Sequence, residues 1–278
     1  MALVGLHLRL ENSLSALLEK ALRLQMPIVQ CFLIAQGSKR YIELSEEEVQ
    51  KCKALTAQFK HVYLHASYWV NLAGRRNNGW RAFNKEIELA EKLGFTHIII
   101  HPGSATGCLD KQEGIALLAK ALNKVMEKEL SITIVLENTA HAKLSVGGDL
   151  EDFRKLLGLL TKTEKIAFCL DTAHAHSYGY DIITSEGQAQ FLETVGSFLK
   201  KEQIALIHLN ETNEPRGSLI DKHALFGKGV IGDQALQSFI NHEVCKDIPI
   251  ILEAPVLETE DAEKALVQTV EKWSKRTF

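Results

Sequence analysis

Six apolar runs in this chain end on a carboxylate or an imidazole: YLH at His65, IIIH at His101, IVLE at Glu137, CLD at Asp171, LIH at His208 and IILE at Glu253. Three side chains of the same chemistry lie elsewhere, His174 just after Asp171, and Asp221 with His223 in a polar loop. Carboxylate oxygens and imidazole nitrogens are the donors that zinc and manganese take. Burying so many ionisable groups together is costly unless a cation pairs them. Taken singly, each has an ordinary reading: a strand-end histidine satisfies a nearby backbone group, and a glutamate meets an arginine. Nine such groups at the same end of six strands and one loop make a shared metal site the stronger explanation.

Positioning them requires elements that converge. The chain alternates short β-rich runs, starting at Val4, Ile28, His61, Thr96, Ile132, Ile166, Ile204 and Pro249, with longer helical patterns. Helices are predicted near residues 13–24, 45–59, 80–93, 110–128, 150–160, 188–200 and 233–241, and from 259 onward. Ser45 and Glu48 have capping-box spacing, and Gly94 stops the third helix. The strand runs are near-continuous Ile, Leu and Val, as strands covered on both faces require. Eight strand–helix units over this length predict a (β/α)8 TIM barrel, a single α/β domain spanning residues 1–278. Its metal site would sit at the carboxyl ends of the strands.

The remaining histidines divide by position. His61 and His97 each lie four residues before a candidate ligand and so share its face, at the amino ends, where a stabilising role is expected. His7 sits mid-strand, and the sequence leaves it equally a hydrogen-bond partner of the site or a packed core residue. His141, His176 and His242 are expected in loop or surface roles.

The chain has 278 residues, 46% hydrophobic and 24% charged, which is a globular composition able to bury a sizeable core. No apolar run approaches the roughly 20 residues of a membrane span, and no signal-peptide pattern opens the chain, so a cytoplasmic protein with no membrane partner is expected. Cys31, Cys52, Cys108, Cys169 and Cys245 are odd in number, widely spaced and without a CxxC pair; they read as reduced thiols. The formal net charge of -3 means that a nucleic-acid partner would be attracted by a local basic patch and by bound cations.

Longer strings carry a resemblance that spacing alone does not supply: HASYWVNLA at His65, HPGS at His101, LENTA at Glu137, CLDTAHA with GYD from Cys169 to Asp181, IHLNE at His208, DKH at Asp221, GKGVIG at Gly227 and ILEAP at Ile251. Together they run almost end to end. The chain resembles the endonuclease IV family of apurinic/apyrimidinic endonucleases, on the xylose isomerase-like TIM barrel. That resemblance implies three zinc ions per chain, with manganese able to occupy some of the sites. His65 and His101 would hold one ion, with Glu137 bridging to a second that also takes Asp171, His208 and Glu253. His174, Asp221 and His223 would hold the third. The implied reaction, in base excision repair, is hydrolysis of the phosphodiester on the 5′ side of an abasic site in double-stranded DNA. A hydroxide held in the trinuclear site would attack, with Glu137 and Glu253 as the catalytic carboxylates and the protein acting as a monomer.

DNA contacts are implied for Tyr68, Arg75, Arg76, Lys39 and Arg40, within a stretch beginning at Phe32, with Arg81 and Lys85 as further phosphate candidates. Here the chain departs from the family pattern. Ala35 and Gly37 stand where asparagine and arginine are usual, HLRLENSL replaces a serine followed by two glycines, Ala66 replaces an aspartate and Glu211 another. The ligand set remains complete. Two other classes fit the same chain: a metal-dependent sugar isomerase or epimerase on this barrel, or a metal-bearing DNA-binding scaffold without turnover. The first manages with one ion and the second would have broken ligands, so counting ions separates them; a re-targeted phosphoesterase with altered DNA recognition is the variant nearest to the nuclease.

Overall fold

A computed structural model describes residues 2–34, 41–76 and 78–274; Ala35, Gly37, Lys39 and Arg40 lie outside the described residues. Eight parallel strands close on themselves in chain order: β1 (Val4–Leu8), β2 (Ile28–Cys31), β3 (His61–His65), β4 (His97–Ile100), β5 (Thr133–Glu137), β6 (Ile166–Asp171), β7 (Ile204–His208) and β8 (Ile250–Leu252). Between and after them lie α1 (Leu14–Arg23), α2 (Glu46–Thr56), α3 (Asn78–Leu93), α4 (Lys111–Val125), α5 (Glu151–Leu157), α6 (Thr172–Tyr178), α7 (Ser185–Gly196), α8 (Asp233–Asn241) and α9 (Glu260–Trp273). The TIM barrel expected from the alternation is therefore the observed fold. Polar side chains set where several of these helices begin: Ser13, Asp110, Thr184 and Thr259 each accept a backbone N–H from the first turn that follows, satisfying a donor the helix itself cannot.

Alternation along each strand sorts its side chains into two cores. Outward-facing residues such as Val29, Leu64, Ile98 and Leu136 pack against the helices. Inside the barrel, Ile28, Tyr63, Ile99, Val135, Cys169, Leu206 and Ile251 form one ring, all fully buried. β1 contributes Gly5 at this level, where a Cβ would collide with the carbonyl of Ile28 on β2. Glycine is what lets these two strands approach. Two residues further along each strand comes the next inward ring: His7, Gln30, His65, His101, Glu137, Asp171, His208 and Glu253. Each strand path thus contributes one polar side chain above an apolar floor.

Three local expectations are corrected. The Ser45 hydroxyl does cap α2, accepting from Glu48 N at 3.2 Å, but the Glu48 carboxylate turns to Ser15 N at 3.1 Å instead of returning to Ser45, so no reciprocal box forms. A helix, α6, begins directly at the end of β6, because the Asp171 carboxylate accepts from His174 N at 2.7 Å and caps it. That places His176 inside a helix and buries it, where a loop or surface position was expected. The following helix, α7, runs Ser185–Gly196, earlier than predicted.

Candidate metal centre

The nine candidate ligands meet at the carboxyl mouth of the barrel. Glu137 and His208 are fully buried, Asp171, His174 and His65 nearly so, and His101, His223, Asp221 and Glu253 line the opening. Their donor atoms fall into interlocking groups within 4.8 Å: His65, His101 and Glu137; then Glu137, Asp171, His208 and Glu253. His174 and Asp221 group with His101, and His174 and His223 with Asp171. The third trio expected from sequence is thus adjacent, but it shares its members with the other two groups.

Separations between facing donors can be compared with a coordination tetrahedron, whose edge is roughly 3.3 Å for zinc–nitrogen bonds of about 2.05 Å. His65 Nε2 lies 3.2 Å and His101 Nε2 3.3 Å from the same oxygen, Glu137 Oε2. His208 Nδ1 is 3.3 Å from Glu253 Oε2 and 2.8 Å from Glu137 Oε1. His174 Nε2 stands 3.0 Å from Asp221 Oδ1, yet this buried nitrogen makes no hydrogen bond. Donors facing one another at ligand spacing suit a cation between them.

Backbone and amide partners fix which ring nitrogen faces inward. His65 Nδ1 donates to Ala66 O at 3.0 Å, His174 Nδ1 to Asn138 O at 2.9 Å and His223 Nδ1 to Glu253 O at 3.2 Å. Each leaves Nε2 for the centre. His208 is reversed: its Nε2 donates to Gln30 Oε1 at 2.9 Å, leaving Nδ1 toward Glu137 and Glu253. Committing the outer nitrogen to a carbonyl is how metal-binding imidazoles are oriented.

Three amides that the sequence reading did not single out hold the carboxylate-bearing residues, two of them by the carboxylates and the third by the backbone. Gln30 Nε2 donates to Glu253 Oε1 at 2.6 Å and to His7 Nδ1 at 2.9 Å. His7 is therefore a hydrogen-bond partner of the site, which settles the choice its position had left open. Asn210 Nδ2 donates to Asp171 Oδ2 at 2.6 Å and Glu253 Oε2 at 3.0 Å, while Asn138 exchanges bonds with the Asp171 backbone at 2.7 and 3.0 Å. Gln30 could have been found from its parity: it is an amide on the inward face of an otherwise apolar run.

Electrostatics follow from this packing. Burial favours neutral Glu137, but His208 and His101 hold its carboxyl well below the usual range. Glu253 is also held low, against burial, chiefly by His208, and Asp221 by His174. Burial raises Asp171. His174 is raised well above the ordinary imidazole range, against burial, by Asp171, Asp221 and Glu137, and His208 similarly by Cys169, Glu253 and Glu137. The carboxylates draw positive charge to themselves, from protons if from nothing else.

Glu211 is buried and accepts from Ile231 N at 2.9 Å and Gly232 N at 2.7 Å. With Thr212, whose hydroxyl donates to Lys222 O at 2.7 Å, it ties down the loop carrying Asp221 and His223. At the rim, Tyr68 is 76% exposed, its ring 5.9 Å from Phe32, which packs on His7 and His65. Glu86, fully buried on α3, accepts from Ser67 beside Tyr68 and from Tyr41 Oη at 2.9 Å. Arg9, not singled out from sequence, lines the 180 Å³ mouth. Arg75 is paired with Glu113 at 2.6 Å, Arg76 is exposed, and Lys85 lies 4.6 Å over the Tyr41 ring. At the opposite end of the barrel His61 and His97 pack against Tyr63, away from the centre, and burial pushes His97 down to about 4.

Known proteins share this architecture. A profile described as the xylose isomerase-like TIM barrel matches residues 19–276. The chain is 32% identical over 221 residues to "Probable endonuclease 4" of Thermotoga maritima, covering 77% of each. It superposes on the crystal structure of endonuclease IV from Thermus thermophilus with a TM-score of 0.82 at 27% identity, over 97% of this chain and 98% of that one. A D-tagatose 3-epimerase-like protein also superposes, with a TM-score of 0.72 over 97% of each chain, but at 18% identity this likeness shows the fold alone. Among the described residues no helix is long and apolar enough to cross a membrane. With its profile match across the barrel and its relative above 30% identity, the chain belongs to the endonuclease IV family.

Proposed function

We propose that this protein is a zinc-dependent endodeoxyribonuclease that hydrolyses the DNA phosphodiester 5′ to an abasic site. The observation that carries the reading is the pre-oriented donor set: four imidazoles fixed by their outer nitrogens around carboxylates at ligand spacing. His65, His101 and Glu137 would hold one ion, Glu137, Asp171, His208 and Glu253 a second, and His174, Asp221 and His223 a third. Zinc bound there supplies polarisation of a phosphoryl oxygen and activation of water near neutral pH. Manganese would suit the carboxylate-rich position as well.

The chain's own groups do the rest. Glu137 and Glu253 are the catalytic carboxylates, the first shared between the His65–His101 group and the Asp171–His208–Glu253 group and the second held by Gln30 and Asn210. The apolar ring of Ile28, Ile99, Val135, Leu206 and Ile251 keeps bulk water from beneath the reacting phosphate, which strengthens every charge interaction above it. Tyr68, exposed at the rim and backed by Phe32, presents a ring to the unstacked step at a missing base, where intact duplex offers no gap. Arg9 at the mouth and the exposed Arg76 would meet flanking phosphates, with Lys39 and Arg40, outside the described residues, as further candidates, and the net charge of -3 makes such local contacts necessary. We place the protein in the cytoplasm, acting as a monomer on double-stranded DNA.

The test uses purified protein of measured metal content and a duplex bearing one abasic analogue, with undamaged duplex and Glu253→Gln as controls. Incision 5′ to the lesion, lost in the variant and on chelation, is expected. Three ions without incision would refute abasic-site cleavage and point to a re-targeted phosphoesterase; one ion without incision would favour sugar chemistry.

A further inference from the structure

The ring beneath the candidate ligands contains one sulfur donor, which the proposed reaction does not use. Cys169 lies two residues before Asp171 on β6, points into the barrel and is fully buried. It pairs in register with Glu137 on β5, and its sulfur lies within 4.8 Å of donor atoms of both Glu137 and His208. Those two partners are themselves 2.8 Å apart. The other members of the ring are Ile28, Ile99, Val135, Leu206, Ile251 and Tyr63, so among the described residues the thiol is the only soft ligand on the inner side. Cys31, Cys52, Cys108 and Cys245 belong to no such group among the described residues.

We propose that Glu137, Cys169 and His208 form a further, enclosed ion position directly below the carboxylate-rich one, selective for a thiophilic cation such as cadmium. Zinc and manganese gain most from Glu137, Asp171, His208 and Glu253, a set with three carboxylates. A soft ion gains more from sulfur. Because Glu137 and His208 serve both positions, the two occupancies exclude one another. A thiophilic ion that drops one ring inward would strip the upper position of two donors and be shielded from solvent by those that remain. As the sulfur–metal bond forms, the thiol proton leaves to solvent and nothing is oxidised or reduced. This inference rests on the proposed function only in taking Glu137 and His208 to hold an ion.

The protein as purified, its metal content measured, is titrated with cadmium chloride while the ultraviolet thiolate-to-cadmium charge-transfer band and zinc release are followed, in wild type and in Cys169→Ser. The expected result is a band in the wild type that saturates as zinc is released and is absent from the variant. The variant should keep its zinc content and bind cadmium at least tenfold more weakly. No band in the wild type, or the same band in Cys169→Ser, overturns the proposal. Should the variant not fold, X-ray absorption of cadmium in the wild type decides: a sulfur neighbour supports the position and an all-nitrogen-and-oxygen shell refutes it. The optical signal involves no DNA. Its presence without incision would therefore sink only the nuclease reading, and incision without it only this one.

Discussion

Replacing Gln30 by methionine keeps the length and volume of a fully buried side chain while deleting three hydrogen bonds. The amide donates to Glu253 Oε1 at 2.6 Å and to His7 Nδ1 at 2.9 Å, and accepts from His208 Nε2 at 2.9 Å. Two consequences separate. The His208 N–H loses its acceptor in a dry surrounding, and an orphaned buried donor costs about 1–3 kcal/mol whether or not an ion is present. His208 is also freed to turn its ring, and Glu253 to swing, so the geometry offered to a cation is no longer preset. Loss of such an orienting partner typically weakens metal affinity about 10–100-fold, or roughly 1.4–2.7 kcal/mol. Retained metal should therefore fall at chelator concentrations some tenfold or more below those that strip the wild type, measured by elemental analysis after graded dialysis. Urea unfolding of the fully stripped proteins should show a separate loss of about 2 kcal/mol. If Gln30→Met keeps its full metal complement over the wild-type chelator range, the idea that this amide sets the His208 tautomer is wrong.

Further outcomes test other parts of the molecule. His97, pushed down to about 4 from an ordinary 6.5, should remain neutral in the fold while the unfolded chain takes up its proton. Its contribution is thus fully present above pH 6.5 and lost as pH falls toward 4, so the wild type should lose about 3 kcal/mol more over that window than His97→Phe, read from urea unfolding at each pH. Glu86→Ala should orphan the Ser67 N–H and the hydroxyls of Ser67 and Tyr41, costing about 3 kcal/mol in denaturant unfolding and raising KM for a lesion duplex, with metal content unchanged. Gly5→Ala should cost about 3 kcal/mol or more by forcing β1 from β2, whereas Gly196→Ala, with nothing within 4 Å of the added Cβ, should be neutral or mildly stabilising; thermal unfolding of the pair separates crowding from glycine entropy.

The barrel was legible because its strands are covered on both faces and therefore read as unbroken apolar runs, and the site because so many ionisable residues gathered at the ends of those runs outweigh the ordinary reading that each has alone. Residues such as Glu137 and His208 announce themselves in this way. Gln30, Asn138 and Asn210 do not, since a neutral amide carries no charge to explain and its importance lies in partners distant in sequence: Gln30 reaches Glu253 across 223 positions. The helix α6 stayed hidden for a related reason. Asp171 reads as a strand-end ligand, and nothing local says that its other oxygen also caps a helix. Glu48 shows the converse, a local motif whose carboxylate is claimed by Ser15 on another element. At the rim, Arg75 has the composition of a phosphate contact yet is paired with Glu113, a partner visible only in three dimensions.

The polar ring has one member from each of the eight strand paths, and its first and last contributors, His7 and Glu253, meet across the seam where β8 closes on β1. A chain that has laid down seven strands has most of the apolar layers it needs to collapse, yet lacks the carboxylate that Gln30 and Asn210 are waiting to grip. Competence is thereby tied to the final act of topology. On the proposed reading, an unfinished or frayed barrel would lack Glu253 in its donor set, so the metal centre would be completed only when the last strand docks and the fold would serve as its own safety catch.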